Sequence, residues 1–128
     1  MDISKFNGEF ELTLASNVQD ILPGCYDHGT ATLTIADGSI SGVDSGGITY
    51  SGNIVLKPED PDKVYATVTV DPRTGTPSSF VMHYDGSPKR EPVTHDCILK
   101  LSEIAGKVML RGDLKVGPLE IKVSIQRV

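Results

Sequence analysis

A chain of 128 residues with 38% hydrophobic residues is long enough to bury a core as one domain. Its formal net charge of −5 argues against direct nucleic-acid binding, which needs clustered Lys and Arg. No apolar run approaches the roughly 18 residues of a membrane helix, and the first residues do not form a secretion signal. We therefore expect one cytoplasmic domain over residues 1–128 without membrane contact.

Apolar and polar residues alternate with a period of two through most of the chain, which is the pattern of half-buried strands. Asp37-Gly38 separates two such runs and tolerates the positive φ angles of a tight hairpin turn. The best helical signal, residues 16–22, ends at Pro23-Gly24 and is interpreted as a loop or one helical turn. The apolar positions expected to face inward are, in chain order, Phe6, Phe10, Leu12, Leu14, Ala31, Leu33, Ile35, Ile48, Tyr50, Ile54, Leu56, Val64, Ala66, Val68, Val70, Phe80, Met82, Tyr84, Cys97, Leu99, Leu101, Val108, Leu110, Leu114, Leu119, Ile121, Val123 and Ile125.

About eight or nine strands joined mainly by short turns can close in two ways, as a sandwich or as a barrel. A barrel removes both exposed edges, and hairpins in sequence order favour an up-and-down path. Glycines within predicted strands, at Gly8, Gly42 and Gly52, suit the bends at barrel corners. The sequence therefore predicts an all-β fold, an antiparallel up-and-down barrel of about eight strands, with a sandwich as the alternative.

Evidence for catalysis or metal binding is weak. His95 and Cys97 would share one face of a strand and could pair as thiolate and imidazole, or Cys97 could be a small core residue. Cys25 with His28, joined to His95 and Cys97, would offer four zinc ligands, but the Cys25–His28 spacing is not that of a usual zinc knuckle. We expect no catalytic residue, metal or cofactor, and the redox state of Cys25 and Cys97 stays open.

An acidic turn, Lys57-Pro58-Glu59-Asp60-Pro61-Asp62, lies between two predicted strands. If it is exposed, its carboxylates would bind a basic patch on a protein partner, where charge sets specificity and association rate. The alternative is a solvated turn that binds nothing. The candidate partner-binding residues are Glu59, Asp60 and Asp62.

Short glycine-containing motifs recur in a recognisable order along most of the chain. The first group is a turn glycine, a Gly-x-Asp element and a Tyr-x-Gly step, at Gly29, Gly42-Val43-Asp44 and Tyr50-Ser51-Gly52. The later group is Val68-Thr69-Val70, Pro77-Ser78-Ser79-Phe80, Leu99-x-Leu101, Leu110-x-Gly112 and Leu119-x-Ile121-x-Val123-x-Ile125. In these motifs the chain resembles the GrlR-like family, whose namesake negatively regulates type III secretion genes in attaching-and-effacing enteric bacteria.

The resemblance implies a small lipocalin-like barrel that is often a homodimer and has no enzymatic activity. It also implies a protein partner, a transcriptional regulator, bound through an acidic loop that Glu59, Asp60 and Asp62 would occupy here. This chain departs from the namesake's four consecutive acids, because Pro58 and Pro61 interrupt them. An apolar small molecule in the barrel is the alternative ligand, with the candidate cavity residues Phe10, Leu12, Tyr50, Phe80 and Met82.

Overall fold

The eight strands of the described residues close into a single antiparallel barrel in which each strand pairs with the next and β8 pairs with β1. The structure is a computed structural model that describes residues 3–16, 28–44, 46–71, 91–116 and 119–128. This order confirms the predicted up-and-down barrel and excludes the sandwich. The elements are a 3-10 helix (Ile3–Phe6), β1 (Gly8–Ser16), β2 (His28–Ala36), β3 (Ser39–Asp44), β4 (Thr49–Val55), β5 (Lys63–Asp71), β6 (Val93–Ile104), β7 (Lys107–Val116) and β8 (Leu119–Arg127).

The core fills the barrel with the apolar positions of the alternating pattern. No polar or charged side chain of the described residues is buried with them. Since side chains alternate across a strand, this inward set leaves hydroxyl, amide and charged groups on the outer wall. The buried residues of this inward set are Phe6, Phe10, Leu12, Leu14, Ala31, Leu33, Ile35, Ile40, Ile48, Tyr50, Ile54, Val64, Ala66, Val70, Leu99, Val108, Leu110, Ile121, Val123 and Ile125. Met109 is also buried, but it alternates with Val108 and Leu110 and therefore lies on the other face of β7.

Because the strands run up and down, their connections alternate between two ends of the barrel. The capped end holds the 3-10 helix and the β2–β3, β4–β5 and β6–β7 connections, and β1, β3, β5 and β7 end at the opposite end. The predicted Asp37-Gly38 hairpin is confirmed, with φ angles of 49° and 86°. Ala105 and Gly106 form a second such turn, with φ angles of 53° and 79°.

The 3-10 helix closes the capped end with an aromatic side chain and several polar anchors. Phe6 is fully buried against the core. The Arg127 guanidinium donates to the carbonyls of Lys5 and Asn7 at 2.7 and 2.8 Å. The Asn7 amide oxygen accepts from the backbone N–H of Asp37 at 2.8 Å. The helix is therefore tied to β8 and to the β2–β3 turn.

An inward glycine lies where two neighbouring strands leave no space for a side chain. Gly52 of β4 lies opposite Val68 of β5, and a Cβ built on Gly52 would lie 1.9 Å from the Thr67 carbonyl oxygen. Carbon and oxygen cannot approach that closely, so only glycine fits this crossing.

Several expectations fall on residues outside the described part of the chain. They are the helical signal at 17–22, Cys25, Phe80, Met82 and Tyr84. Among the described residues, no helix is both long and apolar enough to cross a membrane.

Candidate functional site

The acidic turn joins β4 to β5 at the capped end and has a defined backbone conformation. The Asp60 N–H donates to the Lys57 carbonyl at 2.9 Å, and the Lys63 N–H donates to the Asp60 carbonyl at 3.1 Å. The Leu101 N–H of β6 donates to the Asp62 carbonyl at 2.8 Å. These bonds fix the turn against the neighbouring strand, so its side chains are presented from a stable backbone.

The three predicted carboxylates of this turn have different surroundings. Asp60 accepts a hydrogen bond from the Tyr65 hydroxyl at 2.6 Å, and the Lys57 ammonium lies 4.2 Å from the centre of the Tyr65 ring. That hydrogen bond is the main reason that the pKa of Tyr65 is raised. Asp60 is therefore a structural acceptor, whereas Glu59 and Asp62 are exposed and make no ion pair within the described chain.

A shallow depression borders the turn. Its volume is about 210 Å³, and the lining is of mixed charge. It is smaller than the roughly 300 Å³ of a pocket for a drug-sized ligand, but it makes the surface beside the turn concave. The lining residues are Leu56, Lys57, Pro58, Asp60, Pro61 and Lys63.

An exposed apolar row runs across β4, β5 and β6 beside the acidic turn. In the register of the sheet Val55 lies opposite Tyr65, and Tyr65 lies opposite Ile98, all on the outer face. Val55 is 45% and Ile98 56% exposed. Apolar side chains that lie side by side on the surface of a protein are typical of sites that bind another protein. We call Val55, Tyr65 and Ile98 the apolar row; sequence reasoning missed it because its members are far apart in the chain.

The barrel interior holds a small cavity toward the end opposite the 3-10 helix. Of the candidate cavity residues, Leu12 and Tyr50 line it, and the Tyr50 hydroxyl donates to the Asp44 carboxylate at 3.2 Å. Phe10 is buried but lies nearer the capped end and does not line this cavity. The cavity has a volume of about 60 Å³, and the surface that lines it is apolar. Pockets for drug-sized ligands occupy roughly 300 Å³ or more.

His95 and Cys97 of β6 both face this cavity, so the predicted shared face is confirmed. Burial raises the pKa of the Cys97 thiol, and the negative charge of Asp113 raises it further. Burial lowers the pKa of His95, although the charge of Asp96 acts in the opposite direction. A protonated thiol beside a neutral imidazole lacks the ionisation that activates a cysteine nucleophile. Among the described residues no group of three or more His, Cys, Asp or Glu could hold a metal ion.

The half-buried imidazole of His95 predicts a pH-dependent stability. Because the folded pKa of His95 lies below its usual 6.5, the unfolded chain binds the proton more readily. The contribution of His95 to the free energy of unfolding should be complete above about pH 6.5 and should be lost as the pH falls from there toward the lower folded pKa. Urea midpoints measured across this range should decline less steeply for His95→Gln. Equal slopes for the two proteins would contradict the burial of the imidazole.

Comparisons with known proteins add no identification. No protein-family model matches the sequence, and a search of the curated proteins found no match. The resemblance to the GrlR-like family therefore rests on the motifs given above.

Proposed function

We propose that this protein is a non-enzymatic regulator or adaptor that binds a protein partner through the acidic turn and the apolar row. One observation carries the proposal: half-exposed Val55 and Ile98 lie in one row beside the carboxylates of Glu59 and Asp62. An apolar centre with a charged rim is the common composition of a protein interface. Exposed carboxylates in such a rim attract a basic partner and increase its association rate.

The resemblance to the GrlR-like family supports the same reading and adds detail. By that resemblance the partner is a transcriptional regulator and the protein forms a homodimer, as members of that family often do. A cytoplasmic location is proposed from the sequence of the first residues, which do not form a secretion signal. The acids of this chain are interrupted by Pro58 and Pro61, so we expect a partner surface shaped for this turn rather than for a continuous acidic run. The hydrogen bond of Asp60 to Tyr65 leaves Glu59 and Asp62 as the recognition charges.

A charge-reversal experiment tests this function. Glu59→Lys with Asp62→Lys should slow partner association and flatten its dependence on salt, because attraction between opposite charges is lost. The control is Glu9→Lys with Glu11→Lys, which makes the same change in net charge on exposed positions of β1, away from the turn. Affinity capture from cells, followed by kinetics with the recovered partner, provides the measurement. If both variants and the wild type recover the same amount of partner, the acidic turn is not the recognition element.

A carrier of a small apolar molecule is the second candidate, supported by the apolar lining of the interior cavity. At about 60 Å³ the cavity holds little more than a few heavy atoms, so this function requires the interior to expand. A fluorescent fatty-acid analogue should then bind the wild type saturably. It should bind Leu12→Phe more weakly, because the larger side chain fills the cavity. Absence of saturable binding would exclude the carrier function.

A further inference from the structure

The fold gathers three basic side chains that are distant in sequence into one row on the outer wall. Lys63 of β5 lies opposite Lys100 of β6, and Lys100 lies opposite Arg111 of β7. All three are exposed. Directly opposed residues on one face of an antiparallel pair have Cβ atoms roughly 5 Å apart. We call Lys63, Lys100 and Arg111 the basic row.

This arrangement is unfavourable for the isolated protein. Like charges directly opposite each other on neighbouring strands destabilise a sheet. Elsewhere on the same wall, cations do have partners: Lys122 lies 3.4 Å from Asp113, and Lys115 lies 3.9 Å from Glu120. None of the three residues of the basic row makes an ion pair within the described chain. In a chain of net charge −5, three adjacent unneutralised cations form a local positive site.

Neighbouring groups extend the row as a set of hydrogen-bond donors. Arg111 lies opposite Ser124 of β8, and Ser124 lies opposite Thr13 of β1. Lys100, Arg111, Ser124 and Thr13 line a shallow groove of about 590 Å³ on the outer wall. Asp113 also lines the groove, and its carboxylate is paired with the Lys122 ammonium at 3.4 Å. A guanidinium, an ammonium and hydroxyls together are suited to carboxylate oxygens.

The apolar row lies immediately beside the basic row on the same strands. On β5 Tyr65 is two residues from Lys63, and on β6 Ile98 is two residues from Lys100, so the two rows run parallel across the sheet. An occupant that fits both must present apolar side chains and anions side by side. A nucleic acid fits poorly, because three cations release few counterions and the net charge of the protein repels it.

We propose that the basic row and the apolar row together bind an acidic peptide segment of a partner protein that carries Asp or Glu beside apolar side chains. The carboxylates of the segment bind Lys63, Lys100 and Arg111, and its apolar side chains cover Val55, Tyr65 and Ile98. This surface borders the acidic turn at Lys63, which follows Asp62, and it shares the apolar row with the proposed function. The cations of the basic row belong to this site alone, and they select an acidic rather than a basic partner segment.

Lys100→Glu is the decisive variant, because Lys100 is flanked by the other two cations. The probes are a fluorescently labelled peptide of alternating Glu and Val, and a second peptide with Gln in place of each Glu. The Glu peptide should bind the wild type in a salt-sensitive way, and Lys100→Glu should weaken it about tenfold. The same variant should raise the melting temperature, since two repulsive pairs become attractive. Lys107→Glu, the same charge change four residues from Arg111 on β7, should do neither.

Three results would overturn the proposal. The first is equal affinity for the Glu and Gln peptides, which would remove the role of carboxylates. The second is an equal loss of affinity with Lys107→Glu, which would show a response to net charge alone. The third is sedimentation in which the wild type self-associates, Lys100→Glu is monomeric and the peptide does not bind. In that case the occupant is a second copy of this chain. If the double variant Glu59→Lys with Asp62→Lys still binds the Glu peptide, the carboxylates of the acidic turn are not needed for this binding.

Discussion

Gly52→Ala should lower the free energy of unfolding by about 3 kcal/mol or more, because the new methyl group has no space between β4 and β5. A Cβ at Gly52 would lie 1.9 Å from the carbonyl oxygen of Thr67 and 2.9 Å from its carbonyl carbon. Both atoms belong to backbone that is paired in the sheet, so neither can rotate away as a side chain would. The strands must separate, and ladder hydrogen bonds must lengthen or break. Urea unfolding followed by circular dichroism measures the loss.

Gly106→Ala is the matched control for this substitution. Gly106 has a φ angle of 79°, but a Cβ there would meet no other atom within 4 Å. The control therefore carries the strain of a left-handed conformation alone, about 1 kcal/mol. If Gly52→Ala costs no more than Gly106→Ala, then β4 and β5 do not approach as closely as the fold requires.

Phe6→Ala should cost about 3–5 kcal/mol, because it removes the aromatic ring that seals the capped end. Phe6 is fully buried, and the polar anchors of the 3-10 helix prevent the chain from collapsing into the space left behind. The loss therefore combines the transfer of the ring to water with a cavity that persists. Urea or thermal unfolding measures it.

Lys5→Ala separates this packing effect from the ion pair of the same helix. Lys5 pairs with Glu103, and both side chains are substantially exposed. Such a pair contributes about 1 kcal/mol at most. Similar costs for Phe6→Ala and Lys5→Ala would show that the helix rests on the barrel without sealing it.

The fold could be predicted because its strongest signal is local. Alternation along each strand identifies which side chains face inward, and Asp37-Gly38 identifies a hairpin. Closure is not local: it depends on β8 pairing with β1, as in Leu12 opposite Ile125. Alternation fits a sandwich equally well. The barrel was favoured only because a closed sheet leaves no exposed edge strand.

The candidate site was only partly predictable for the same reason. Glu59, Asp60 and Asp62 are neighbours in sequence, so the acidic turn was visible, although the role of Asp60 as acceptor from Tyr65 was not. The apolar and basic rows each combine residues from three strands, and their members become adjacent only through the register of the sheet. Lys63 and Lys100 appear scattered in the chain until β5 and β6 are aligned.

Hydroxyl-radical footprinting of the protein with its captured partner tests the partner-binding face most directly. Tyr65 and Ile98 lie at the centre of that face and should lose reactivity in the complex. Val43 of β3, which is 46% exposed on another part of the wall, should keep its reactivity and serves as an internal reference. Protection of Val43 with unchanged oxidation of Tyr65 and Ile98 would place the partner elsewhere and contradict the account.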